Sequence, residues 1–329
     1  MADRVIIVGL RRGGAIVPSS ELKQMIGRAG RDHEDKGVVY VVVNEIDEGR
    51  MDGVFEDGGT TVVSSMNNPD LLADALLPDI CRGQIRNIDD AQEWCSRSFC
   101  SKPPIAKAIE LLEASEAIKI TPDGFMATDT GRCASKFYFH PADVYAWKVN
   151  FHTLFEDGLQ DDEIAPAWAL GNVPHSRIIG DLGERRELAT ECRGRIPLGL
   201  EVMQGSLINV VCWWYLMGGP SPGPIRLSCL NRRKDFGRVV QALKWLDTNC
   251  CKWGMEDFFE DLTLRVKKGI VPELIPLCRC EGIGKGRAEY LYGFGIKGLE
   301  DMGDALMKVG DDIDEEFRQT IESLARSSR

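Results

Sequence analysis

Two arginines stand three residues apart near the start of the sequence, in the segment Gln24-Met25-Ile26-Gly27-Arg28-Ala29-Gly30-Arg31. Arginine suits phosphate because its planar guanidinium donates two hydrogen bonds at once and stays charged. The glycines beside the arginines permit a close approach of the backbone to a ligand. The segment therefore predicts a phosphate site at Arg28 and Arg31. The alternative, which a generic pair at this spacing favours, is a basic turn at a solvated helix end.

A second candidate site lies on a helix predicted at about residues 234–250. Its apolar residues recur at helical spacing and form one continuous stripe: Phe236, Val239, Val240, Leu243 and Leu246. The opposite face carries four other side chains, Lys234, Arg238, Gln241 and Trp245. A tryptophan on such a face can stack a base while the arginine holds a phosphate or a base edge. In the alternative interpretation, Trp245 packs on another domain.

A third candidate site is the segment Glu281-Gly282-Ile283-Gly284-Lys285-Gly286-Arg287-Ala288, between two predicted helices. Gly282 and Gly284 let the chain turn so that backbone amides point outward, and the helix that follows adds a dipole favourable to phosphate. Lys285 and Arg287 add positive charge, so the segment predicts contact with a nucleic-acid backbone without sequence preference. In the alternative interpretation, the segment is a turn that packs two helices together, and its glycines only allow the backbone to turn.

Composition limits what these sites can serve. The 329 residues predict two or three domains, and the net charge of −11 excludes a uniformly basic nucleic-acid coat but permits local basic patches. The 11 cysteines and four histidines lack the spacing of zinc ligands, so no metal site is predicted. Neither a membrane-spanning run nor a signal-peptide core occurs, which predicts a cytoplasmic or nucleoid-associated protein without membrane contact.

The predicted elements that position these sites change in type along the chain. Two apolar strands at residues 4–10 and 37–43 enclose a helix, which favours a parallel α/β sheet. Three helices and a β-hairpin follow between residues 71 and 128, an order that favours a winged helix, although any small α/β module fits the periodicity as well. Residues 141–265 are mostly helical, with breaks at 172–174 and 218–224.

Residues 24–31 resemble motif VI of the Ski-like superfamily 2 helicases, which has the form Q-x-x-G-R-A-G-R. The resemblance implies that Gln24, Arg28 and Arg31 face an ATP bound between two RecA-like domains, with both arginines acting as fingers on the γ-phosphate. Residues 118–138 resemble the winged helix of these helicases. Arg238 and Trp245 match a pair in the ratchet helix of their archaeal lesion-fork members, which act at replication forks and in DNA repair.

The resemblance implies a multidomain fold, α/β followed by mostly α. Its four expected parts are a C-terminal remnant of the second RecA-like motor domain (1–62), a winged helix (63–145), a helical ratchet domain (146–268) and a helix-hairpin-helix domain (269–329). The family's P-loop, G-x-x-x-x-G-K-[ST], does not occur in this sequence. We therefore expect ATP and Mg²⁺ to reach this chain only through a missing motor domain, and no ATP hydrolysis by the chain alone.

Two functions follow from this resemblance. In the first, the chain is the C-terminal half of a DNA helicase, grips single-stranded or forked DNA, and supplies arginine fingers to a separate polypeptide that carries the P-loop. In the second, it is a stand-alone nucleic-acid-binding or regulatory module without catalysis. RNA stays open as a substrate because related Ski-like enzymes act on RNA, although the resemblance is closest to the DNA enzymes.

Overall fold

The computed structural model describes residues 4–12, 15–30, 37–49, 64–98, 100, 102–176, 178, 182–183, 186–310 and 313–327. The chain divides into two units, Met1–Ser64 and Ser65–Arg329. Helices dominate the described residues, and the strands are few and short. Within these residues, every helix is too short or too polar to cross a membrane.

The first unit is a small α/β arrangement. Strands β1 (Arg4–Val8) and β4 (Val38–Val42) pair in parallel, as the two apolar runs predict. Helix α1 (Ser19–Ile26) lies between them in sequence, and Leu22 from this helix is buried together with Ile7 of β1. Among the described residues of this unit, the other elements are a short antiparallel pair, β2 (Arg11–Arg12) with β3 (Ala15–Ile16), and the one-turn helix α2 (Glu45–Glu48).

The second unit begins with three helices and a hairpin. The helices are α3 (Pro69–Cys81), α4 (Ile88–Ser96) and α5 (Ile105–Ala114), and the hairpin pairs β5 (Ile118–Thr121) with β6 (Gly124–Ala127). Helix α6 (Asp129–Phe137) follows, and the Thr128 side chain caps it by accepting a hydrogen bond from the Gly131 amide. A Cβ at Gly131 would lie 2.1 Å from the Ala117 carbonyl oxygen, so only glycine fits where α6 meets β5.

The middle of the chain is a helical bundle, as its composition predicts. It contains α7 (Pro141–Glu156), α8 (Ala165–Gly171), α9 (Arg186–Arg195), α10 (Leu207–Leu216), α11 (Arg226–Leu246) and α12 (Glu256–Lys268). A π-helical turn at Asp247–Cys251 extends α11. One continuous apolar core joins this bundle to the helices and hairpin before it, from Leu72 to Val266.

A separate, smaller core organises the end of the chain. It is formed by α13 (Ile275–Arg279), α14 (Lys285–Gly293), α15 (Met302–Val309) and α16 (Glu315–Ser327). Helices α13 and α14 are joined by a turn in which Gly282 has a φ of +80°, a backbone conformation that favours glycine. This turn carries the third candidate site.

Candidate nucleic-acid interface

Helix α11 separates an apolar stripe from a polar face. The five stripe residues are buried, from fully enclosed Leu243 to Val240 with 6% of its surface exposed. On the opposite face, Lys234, Arg238 and Gln241 are exposed and Trp245 is partly buried. The predicted division of the helix is therefore confirmed, and the helix begins earlier than predicted, at Arg226.

The charge of α11 differs from that of the whole chain. The helix carries six basic residues and one acidic residue, whereas the chain has a net charge of −11. Two of its arginines have internal partners: Arg226 Nε donates to the Tyr215 hydroxyl at 3.1 Å, and Arg232 donates to the Ser176 carbonyl at 3.0 Å. Lys234 and Arg238 are exposed, so the helix presents positive charge to solvent.

Arg238 rests on an aromatic support. Its guanidinium carbon lies 4.6 Å from the centre of the Phe139 ring, within the range of a cation–π contact. Phe139 in turn meets the Trp147 ring edge-on, with centroids 4.9 Å apart. Trp147 is fixed because it is buried and its indole N–H donates to the Leu170 carbonyl at 3.1 Å. This stack restricts the guanidinium of Arg238 while the side chain stays exposed.

Trp245 lies two turns further along α11 than Arg238. Its ring packs against the edge of the main core and is partly exposed. The neighbouring Lys244 ammonium lies 3.6 Å from Glu260 and 4.0 Å from Glu256, both on α12. With a rise of about 1.5 Å per residue, Arg238 and Trp245 are about 10 Å apart along the helix.

The basic residues of the α13–α14 turn have internal partners. The Lys285 ammonium donates to the Gly269 carbonyl at 2.8 Å and lies 3.8 Å from Glu289. Arg287 donates to the Gly282 carbonyl at 3.1 Å and to Glu316 of α16 at 2.9 Å. Its guanidinium also lies 5.0 Å from the centre of the Phe317 ring. Any contact of these side chains with phosphate has to compete with these bonds.

The backbone of this turn leads from Gly282 and Gly284 into the start of α14. Gly284 is the extended residue before α14, so the first amides of the helix have no partner within the helix itself. Lys285 is the first residue of α14 and keeps 45% of its side chain exposed, whereas Arg287 keeps 26%. The first amides of α14 and the partly exposed Lys285 side chain are thus the candidate groups for binding an anion.

The motif VI segment is described in part. Gln24 lies in the last turns of α1, and Arg28 follows the end of this helix; both side chains are exposed. Arg31 lies outside the described residues. Arg28 lines an open cavity of about 410 Å³ together with β1 and α1.

Asp70, His140 and His175 place three possible metal ligands within 4.8 Å of one another. The two imidazole rings are stacked, with centroids 3.5 Å apart and planes 18° from parallel. Because imidazole lone pairs lie in the ring plane, two rings stacked in this way cannot direct their nitrogens at one ion. His140 Nδ1 also accepts a hydrogen bond from the Ala142 amide at 3.2 Å, as the cap of α7. This geometry favours a structural role for the three side chains over the binding of a metal ion.

Comparisons with known proteins find that the relatives of this chain are DNA helicases. The chain is 25% identical to the ATP-dependent DNA helicase Hel308 of Thermoplasma acidophilum, over 92% of the chain and 47% of that protein. It is 23% identical to the protein of the same name from Pyrococcus horikoshii, over 88% of the chain and 44% of that protein. Over most of its length, the chain is similar to Hel308 helicases.

The Hel308 relative from Methanocaldococcus jannaschii is 25% identical over 97% of the chain and 28% of its own length. The chain therefore spans about half the length, or less, of the Hel308 relatives it matches. Because the similarity extends over nearly the whole chain, it includes helix α11 and its exposed face. No family model matches the chain.

Sequence reasoning missed three residues beside this face. Phe139 supports Arg238, Tyr138 next to it is 82% exposed, and Asp74 of α3 lines the same cavity as both. Tyr138 is the last residue of the segment that resembles the winged helix, and Phe139 follows it, so an aromatic pair at a helix end was the available signal. The contact of Phe139 with Arg238 is a tertiary contact, which periodicity does not reveal.

Proposed function

We propose that this chain is the part of a Hel308-like DNA helicase that grips single-stranded DNA. Arg238, with Lys234 beside it, would hold the phosphate backbone, Gln241 would contact a base edge, and Trp245 would stack a base. The observation that carries the proposal is the exposed basic face of α11, on which Arg238 is held against Phe139. The Hel308 relatives are named DNA helicases, which supports DNA as the nucleic acid.

The regions around α11 would serve the same strand. We assign residues 63–145 to a winged helix, 146–268 to a ratchet domain and 269–329 to a helix-hairpin-helix domain. The three helices and hairpin before residue 128 support the first assignment, and the glycine turn between α13 and α14 supports the last. In this proposal, the amides after Gly282 and Gly284 bind a phosphate at the start of α14.

The motif VI segment would contribute to ATP hydrolysis. Residues 1–62 would be the end of a RecA-like motor domain, with Gln24, Arg28 and Arg31 facing the nucleotide. A separate polypeptide with a P-loop would bind ATP and Mg²⁺, and the two arginines would stabilise the transferring phosphoryl group. The exposure of Gln24 and Arg28 supports this role, because both side chains are free to reach a partner surface.

A second candidate function is a nucleic-acid-binding module that acts without ATP. The unit from Ser65 to Arg329 favours it, because this unit contains its own cores and the whole of the α11 face. Both candidates predict binding of single-stranded DNA, and they differ in whether a motor polypeptide exists.

Binding is tested with a dye-labelled single-stranded oligonucleotide in a fluorescence anisotropy titration. We expect Arg238→Ala to weaken binding and to lower the salt slope by about one contact. The control is Arg97→Ala, which removes another exposed arginine, near the end of α4, whose partner is Glu93 of the same helix. Equal affinities for Arg238→Ala, Arg97→Ala and the parent chain would refute the proposed grip.

The ATPase role is tested separately. We expect no DNA-stimulated ATP hydrolysis by the chain alone, because nothing in its sequence cradles the β- and γ-phosphates. Addition of a P-loop polypeptide from the same genome should produce activity, and Arg28→Ala should lower that activity by roughly 10³- to 10⁵-fold, as for other arginine fingers. Activity of the combined chains that survives Arg28→Ala would refute the finger role of Arg28, whereas no activity of the combined chains would favour the second candidate.

A further inference from the structure

A small cavity lies at the edge of the main core, next to Phe139. It has a volume of about 230 Å³ and is lined by α3, the end of α6 and the start of α7. The lining residues are Asp74, Leu77, Pro78, Ala134, Ser135, Tyr138, Phe139 and His140. The volume is below the roughly 300–1,000 Å³ of pockets for drug-sized molecules. The cavity therefore suits a single small ring system.

Tyr138 stands at this cavity with an exposed ring. The residue ends α6 in a left-handed conformation with a φ of +55°, and its amide donates to the Ala134 carbonyl. Glycine or asparagine is the usual residue at such a helix end, since a bulky side chain is strained there. The 82% exposure of the ring means that core packing does not explain why tyrosine occupies the position.

Asp74 gives the cavity a polar group without a hydrogen bond. Among the described residues, its buried Oδ1 has no hydrogen-bond partner, and the nearest imidazole nitrogen, His140 Nε2, is 3.9 Å away. Burial, reinforced by the charges of Asp70 and Asp143, raises the pKa of Asp74 to about 6. The side chain is 39% exposed although Oδ1 itself is buried, so a ligand in the cavity would meet the carboxylate through Oδ2. Ser135 adds a hydroxyl that can donate or accept.

The cavity adjoins the proposed DNA grip. Phe139 lines the cavity, and the Arg238 guanidinium lies 4.6 Å from the centre of the same ring. A strand whose phosphate is held at Arg238 would bring a neighbouring base to Tyr138. The chemistry matches, because every nucleobase combines an aromatic face with a donor and an acceptor on its edge.

We infer that this cavity binds a nucleobase of the single strand, with the base stacked on Tyr138 and its edge toward Asp74 and Ser135. The inference rests on the proposed function and adds a second base-binding position to it, at the end of α6. Because an amino or imino donor occurs on all four bases and Ser135 can donate or accept, the site would accept any sequence.

The test compares variants in anisotropy titrations with the same labelled oligonucleotide. Stacking of one base corresponds to roughly a 5- to 140-fold change in affinity, so Tyr138→Ala should weaken binding within that range. Tyr138→Phe keeps the ring and should bind like the parent chain. Tyr40→Ala, which removes another exposed tyrosine, in the first unit, is the matched control and should change nothing. Melting curves check that each variant is folded.

A second oligonucleotide distinguishes base stacking from a general loss of binding. On a strand with abasic positions throughout its middle, Tyr138→Ala and the parent chain should bind equally. A Tyr138→Ala variant that binds the normal strand as tightly as the parent, while Arg238→Ala weakens binding, would overturn the inference and leave the proposed function standing. Loss of binding that is equal on both strands would also overturn it. No effect of either variant would refute the proposed function itself.

Discussion

Replacement of Trp245 by alanine tests the α11 face most directly. The residue lies opposite the buried stripe, packs against the edge of the core, and is partly exposed. Its removal should therefore affect both the binding of DNA and the stability of the fold. The ratio of the two effects decides which role dominates.

The structure sets the expected magnitudes. Loss of one base stack should weaken single-strand binding by about 1–3 kcal/mol. Replacement of a fully buried tryptophan by alanine costs about 3–5 kcal/mol of stability. Because Trp245 is only partly buried, we expect about 2 kcal/mol, or a fall in the melting temperature of roughly 4–8 °C for a unit of this size.

The assay pairs thermal melting with an anisotropy titration at a temperature where both proteins are folded. Trp245→Phe is the matched control, since it retains an aromatic face on the same helix position and should recover most of the affinity. A fall in melting temperature with unchanged binding by the folded variant would refute the stacking role. A loss of binding as large for Trp245→Phe as for alanine would argue against stacking by a general aromatic face.

Three further predictions follow from the contacts around this face and the hairpin. Arg238→Ala should change the melting temperature little, because the side chain is exposed, while it weakens DNA binding; a large stability loss would mean that the contact with Phe139 is structural. The double variant Lys285→Ala and Arg287→Ala should lower the salt dependence of DNA binding by about one to two phosphate contacts. Glu316→Ala should strengthen DNA binding, because it removes the carboxylate to which Arg287 donates. Unchanged titrations for both variants would mean that the hairpin serves only to pack the helices. Because the pKa of Asp74 is raised to about 6, its ionisation lowers the stability of the folded state as the pH rises from about 4 to about 6. Asp74→Asn should therefore be more stable than the parent chain above pH 6, by about 1 kcal/mol after allowance for the exposure of the side chain. Near pH 3 the two proteins should be equally stable, as measured by urea unfolding.

Periodicity was sufficient for the elements that carry the candidate sites. The stripe from Phe236 to Leu246 predicted both the helix and its buried side, since residues three and four apart share one face. The two apolar strands around α1 predicted the parallel pair, because parallel sheets favour continuous apolar strands. In the structure, each strand is exposed along one face, at residues such as Ile6, Val8 and Val42. The hairpin turn was also predictable locally, because Gly282 adopts a positive φ that other residues avoid.

The sequence also carried a resemblance, which the comparisons with Hel308 helicases bear out over most of the chain. The sequence does not determine which groups each basic side chain contacts. Lys285 and Arg287 are adjacent to the hairpin in sequence, yet their nearest partners are the Gly269 and Gly282 carbonyls and Glu316. A charged side chain takes the partner that the tertiary fold brings within reach, and spacing along the chain does not specify it.

Only the tertiary structure places Arg238 against Phe139, residues almost one hundred positions apart in the sequence. The core that joins the hairpin region to the helical bundle brings the end of α6 beside α11. The same packing leaves the Tyr138 ring exposed beside Asp74 and divides Trp245 between core and solvent. Local propensity and hydrophobic pattern act within a few residues, whereas these contacts depend on how separate helices pack, and for that reason the sequence alone determined the helices but not the surface they form.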